Sequence, residues 1–62
     1  EDIVFIETTE EIKSVDVINI QGQKVISEEN VNSINVSSLP SGLYMVIVNF
    51  NETQEAYKIY RK

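Results

Sequence analysis

Ile3-Val4-Phe5-Ile6, a β-branched and aromatic group followed by the polar stretch 7–11, predicts a short first strand. Thr8 and Glu11 have the spacing of a helix capping box. Little more than a turn of chain separates them from the next β-branched run, and so short a helix is marginal, so a loop is expected. From Ser14 to Ile20, Val15 and Val17 alternate with Asp16 as in a half-buried strand, and the pattern then shifts phase at Ile18-Asn19-Ile20. Two accounts fit that shift: a bulge, or Asn19 turned inward to hydrogen-bond the coming turn. Gln21-Gly22-Gln23 supplies a residue that accepts positive φ cheaply, which predicts a hairpin into Lys24-Val25-Ile26-Ser27.

The polar run 27–33 predicts a loop, and Ile34 with Val36 a further strand. Leu39-Pro40-Ser41-Gly42 puts Pro at the second and Gly at the fourth position of a four-residue turn, the type I preference. Residues 43–50 then place Tyr44, Val46, Val48 and Phe50 on one strand face and Leu43, Met45, Ile47 and Asn49 on the other. A strand that is mostly apolar on both faces is central in a sandwich or has one face awaiting a partner. Asn51-Glu52-Thr53-Gln54 predicts a four-residue loop into a last strand over 56–60, whose charged end, Arg61-Lys62, protects an edge. Five or six short strands with Gly, Pro and Asn turns and no long helical period predict an all-β fold, a small antiparallel sandwich or barrel.

At 62 residues the chain is one domain, near the size at which folding buries only about 60% of the unfolded surface. It has no Cys and no His, so neither a disulfide nor the usual zinc ligands reinforce its thin core. Absence of Cys fixes no redox compartment. A net charge of -5 repels phosphate backbones and anionic head groups, which disfavours nucleic-acid and membrane-surface partners. The longest apolar run, 43–48, is too short to span a bilayer, and no basic, apolar leader opens the sequence. The expectation is a chain soluble as it stands or cut from a longer exported protein.

Candidate chemistry is sparse. Without His or Cys, only carboxylates, Lys, Tyr and hydroxyls remain for acid-base or nucleophilic work, and no constellation of them stands out. Glu10-Glu11 and Glu28-Glu29 lack the oxygen spacing of a calcium loop and read as solvated surface. Asn35-Val36-Ser37 and Asn51-Glu52-Thr53 match the N-glycosylation tripeptide, a pattern too short to carry weight. Gly22 and Gly42 each stand beside a strand and open no helix, so neither builds a phosphate loop. Phe5, Tyr44, Phe50, Tyr57 and Tyr60 are expected mostly in the core rather than on a sugar-stacking platform. No catalytic, cofactor-binding or metal-ligating residue is expected, so the chain acts by being recognised or by binding.

The order of the pieces says more. Val15-Asp16-Val17-Ile18-Asn19-Ile20-Gln21-Gly22-Gln23-Lys24-Val25 is followed by Ile34-Asn35-Val36-Ser37-Ser38-Leu39-Pro40-Ser41-Gly42-Leu43-Tyr44-Met45-Val46 and then by Lys58-Ile59-Tyr60-Arg61-Lys62 at the end. This order closely resembles the C-terminal sorting domain (type A) of the type IX (Por) secretion system of Bacteroidetes, over nearly the whole chain from Asp2. The resemblance implies an immunoglobulin-like sandwich recognised by outer-membrane type IX components after its cargo, attached N-terminally, has reached the periplasm. The cargo then crosses the outer membrane to the cell surface or medium, and a sortase-like peptidase commonly removes the domain upstream of its first strand.

Carried onto this sequence, the family's Gly-turn motif falls on Gly22-Gln23-Lys24-Val25, its Leu-Pro-x-Gly-x-Tyr motif on Leu39, Pro40, Gly42 and Tyr44, and its basic last strand on Lys58, Ile59, Arg61 and Lys62. Leu43, Met45 and Ile47, on the apolar outer face, join them as the expected docking surface. Turn geometry alone accounts for the glycines, core packing for Tyr44, and edge protection equally well for the basic residues. Two departures stand out. The Pro-Asn-Pro segment that usually precedes the first strand is missing, with Asp2 where its trailing Asp would be, so the expected domain, 1–62, lacks the family's first few residues. Ile18 also stands where the family often has an aromatic residue. The competing reading is an accessory sandwich that binds carbohydrate or protein for a neighbouring catalytic domain, with exposed aromatics or a calcium site as its mark. A purely structural spacer ranks last, because it does not explain the motifs at the chain end.

Overall fold

Alternating valines on two adjacent strands organise the molecule. In the computed structural model, which describes residues 3–62, the strands are β1 (Ile3–Phe5), β2 (Ser14–Asn19), β3 (Lys24–Glu29), β4 (Ser33–Asn35), β5 (Gly42–Asn49) and β6 (Gln54–Arg61). Asp2, where the missing segment's trailing residue would fall, lies outside the described residues. Two antiparallel sheets form, one of order β1-β4 and one of order β3-β2-β5-β6. The result is a small all-β sandwich, with two plus four strands against the seven of an immunoglobulin constant domain.

Val15 pairs with Val48 and Val17 with Val46, and all four are fully buried. Ile34 and Val36 close over them from the β4 segment, and Ile12, Tyr44 and Phe50 complete the core. Each buried aliphatic side chain contributes about 1.5–3 kcal/mol, which is what holds a fold with no cross-link. Ile12 joins this core from the 7–13 loop, a position that no alternation marks. That loop contains no helix; the Thr8 hydroxyl instead accepts the Glu10 N–H at 3.1 Å.

Of the two accounts of the phase shift at 18–20, the inward Asn19 holds, paired with buried Tyr44; the hairpin does contain a bulge, but on the partner strand. Val17 pairs with Ile26 but Ile18 with Lys24, so the extra residue is Val25 on β3, and β2 keeps its alternation. Asn19 meanwhile closes the hairpin: its Oδ1 accepts from the backbone N–H of Gln21 (3.0 Å) and of Gln23 (2.9 Å). Gly22 sits at φ 84°, where a side chain would be strained. Asn19→Ala is therefore expected to lower stability by about 1 kcal/mol, with Asn19→Asp retaining most of it, as read from urea unfolding midpoints.

Four expectations need correction. β3 runs on to Glu29, paired with Ser14, because a polar edge strand needs no apolar alternation to pair; the loop is shorter than 27–33 and begins at Asn30, at φ 58°. The hydrogen-bonded turn before β5 is Val36–Leu39, closed by Leu39 N–H to Val36 O at 3.0 Å, and not 39–42. Gly42 instead opens β5 at φ 149°, a conformation that side chains rarely adopt. The β5–β6 loop is displaced by one residue, since Asn49 pairs with Gln54 and Phe50 N–H bonds Thr53 O. Finally, the core takes only Tyr44 and Phe50 of the aromatics; Phe5, Tyr57 and Tyr60 are 73%, 45% and 66% exposed. Phe5 lies on the face of β1 opposite Val4 and the buried Ile34, Tyr60 lies on the outer face with Leu43, and Tyr57, though paired with buried Val46, stands on an edge strand that the two-stranded sheet leaves partly uncovered.

Candidate recognition surface

β5 is both a central strand and one with an uncovered face. Directly paired residues share a face, so the outer side of the larger sheet reads in rows. Glu29, Ser14, Asn49 and Gln54 form one row, Ser27, Asp16, Ile47 and Ala56 the next, Lys24, Ile18, Met45 and Lys58 the third. Leu43 and Tyr60 follow, beside the β2–β3 hairpin.

The first two rows satisfy one another. Asp16 accepts from Ser27 Oγ (2.7 Å) and Asn49 Nδ2 (3.2 Å), and Lys24 Nζ lies 3.8 Å from it. Asn49 also donates to Ser14 Oγ at 3.0 Å and accepts from Gln54 Nε2 at 2.7 Å. The remaining half is apolar. Ile18, Ile20, Leu43, Met45 and Lys58 line an open hollow of about 330 Å³, with Gly22 at its hairpin wall.

The expected recognition residues separate into two groups. Met45, Ile47, Lys58 and Gly22 lie on or beside this outer face. Leu39, Pro40, Gly42, Tyr44, Ile59 and Arg61 instead form a structural knot behind it. Tyr44 is buried, pairs with Ile59 and donates its hydroxyl to Pro40 O at 2.7 Å. Gly42 pairs with Arg61, whose Nε donates to Leu39 O (3.2 Å) and whose Nη2 donates to Ser37 O (2.8 Å). The Leu-Pro-x-Gly-x-Tyr segment and the basic last strand are thus one unit. Lys62 is exposed beyond β6 and belongs to neither group.

Alternation along β5 placed Leu43 on this surface with Met45 and Ile47, and the Gly-turn motif named Lys24. What sequence reasoning missed is that Lys24 shares a row with Ile18, Met45 and Lys58, which follows from the register fixed by the Gly22 hairpin and its bulge. A second, separate groove of about 440 Å³ runs between β1 and β6, lined by Val4, Phe5, Ile6, Val46 and Tyr57. There the Tyr57 hydroxyl donates to Glu55, and that bond, with smaller contributions from desolvation and the carboxylate's charge, raises the phenol pKa above its ordinary value. Among the described residues no three of His, Cys, Asp or Glu are gathered to hold a metal ion.

The model of one family, described as the secretion system C-terminal sorting domain, matches residues 1–62. No curated protein and no solved structure matches the chain.

Proposed function

This chain belongs to the family of secretion system C-terminal sorting domains, and from that premise we propose that it works as a folded recognition module of type IX secretion. Membership identifies a type IX sorting signal of Bacteroidetes, implies a secreted or cell-surface protein with its cargo N-terminal to this domain, and places the chain among domains that are generally non-catalytic. In the proposed mechanism the cargo reaches the periplasm, outer-membrane components of the machinery bind the module, the cargo crosses, and a sortase-like peptidase then removes the module.

The observation that carries the recognition step is the outer face of β5. Met45 and Leu43 are 37% and 43% exposed on a central strand, where a monomer gains nothing from apolar side chains. Gly22, Leu39, Pro40, Gly42, Tyr44, Ile59 and Arg61 support this surface by fixing the hairpin, the β5 entry and the last strand. Lys58 presents its charge.

The test is export. The chain is fused behind a fluorescent reporter that carries an N-terminal export signal, in a bacterium possessing the type IX machinery. Reporter in the medium or on the cell surface is the expected result; equal periplasmic retention with and without the module overturns the proposal. One observation favours a second reading, an accessory module that binds carbohydrate: exposed Phe5 and Tyr57 line one groove. That reading gains if the fusion is retained and soluble glycans shift the Tyr57 resonances.

A further inference from the structure

The charges of the domain are sorted along its strands. β2 and β5 run from opposite ends, with Ser14 paired to Asn49 at one end and Asn19 to Tyr44 at the other. At the Ser14 end gather Glu10 and Glu11 of the first long loop, Glu28 and Glu29 of β3 and Glu52 of the last hairpin. Of the five Lys and Arg residues, Lys24, Lys58, Arg61 and Lys62 stand at the Asn19 end and only Lys13 at the acidic end. A chain of net charge -5 thus has a basic end, and the apolar hollow lies at that end.

One row across the outer face reads Lys24, Ile18, Met45, Lys58, with a lysine on each edge strand. Three strand spacings separate the two lysines, about 14 Å. Lys24 leans toward Asp16, whereas Lys58 is exposed beside the hollow. Two positive charges flanking an apolar floor complement a surface of opposite pattern, and charge at an interface rim governs encounter rate and choice of partner.

We propose that this row is a docking site for a protein surface that presents an apolar side chain between carboxylates, the apolar group entering the Ile18–Met45 hollow and the carboxylates meeting Lys24 and Lys58. The site deepens the sorting proposal and rests on it. The acidic far end would be repelled by such a partner, so the field also orients the domain, basic end first. A second copy docking by the same face would set its own lysines against these, which disfavours self-association there.

Charge reversal at one position tests the site. Lys58→Glu is expected to lower export of the reporter fusion about tenfold or more. Lys58→Arg is expected to export as the unaltered module does, and Lys13→Glu, the same change of charge at the acidic end, within about twofold of it. Protease resistance and the urea midpoint of each periplasmic fusion report folding, and Met45→Glu, which blocks the hollow without touching an edge strand, supplies a second variant. A folded Lys58→Glu fusion exported as well as the unaltered one overturns the site, as does an equal loss in Lys13→Glu, which would mark an effect of net charge. A dimer seen by sedimentation and abolished by Met45→Glu overturns it in favour of a second copy. Failure of the unaltered module to drive export is a different result, and it removes the sorting proposal itself.

Discussion

Tyr44→Ala is expected to leave the chain with almost no cooperative unfolding transition at 25 °C, while Tyr44→Phe costs about 1 kcal/mol. Tyr44 is 7% exposed on the inner face of β5 and pairs with Asn19 on one side and Ile59 on the other. Removing a buried ring typically costs 3–5 kcal/mol, as lost transfer energy and residual cavity add. For 62 residues the whole net stability is about 3–9 kcal/mol, so this one truncation consumes most of it. Phe keeps the ring and loses only the hydroxyl donated to Pro40 O. The two variants separate packing from the hydrogen bond. Urea unfolding by near-ultraviolet dichroism reads both, and a Tyr44→Ala loss below about 1 kcal/mol would refute the ring's place in the core.

The fold was legible because its signals are local. Strand alternation over Val15-Val17 and Tyr44-Val46-Val48 and the Gly22 hairpin depend on neighbours in sequence, and the structure has them where the pattern puts them. What was not legible depends on pairing across the chain. β3 extends to Glu29 because β2 offers it partners, Ile12 is buried because a loop happens to cross the sandwich, and Phe5 is exposed because the β1–β4 register pairs Val4, not Phe5, with the buried Ile34. The site divides in the same way. Met45 and Ile47 could be placed on an outer face from alternation alone. That Arg61 serves the turn at Ser37 and Leu39 required the register of β5 with β6.

That last contact bears on how a basic terminal strand is tested. Deleting residues 58–62 is expected to unfold much of the domain, with a loss of more than about 3 kcal/mol. The deletion removes the pairing of Met45, Tyr44, Leu43 and Gly42 with β6, the half-buried Ile59 packed on the core, and both Arg61 donations to the Ser37 and Leu39 carbonyls. Hydrogen bonds from a charged donor contribute about 1.5–3 kcal/mol, and the stranded carbonyls add a desolvation cost if they stay covered. Lys62→Ala touches none of this and is expected to change stability by less than about 0.5 kcal/mol. Loss of export on deletion therefore reports loss of the fold as much as loss of a contact. The discriminating comparison sets Arg61→Ala beside Lys62→Ala in the same reporter fusion, with the urea midpoint measured for each. A fall in both midpoint and export for Arg61→Ala, with neither for Lys62→Ala, would make the last strand a support for the surface. A Lys62→Ala fusion that keeps its midpoint and loses export would make the exposed lysine itself part of what the machinery binds.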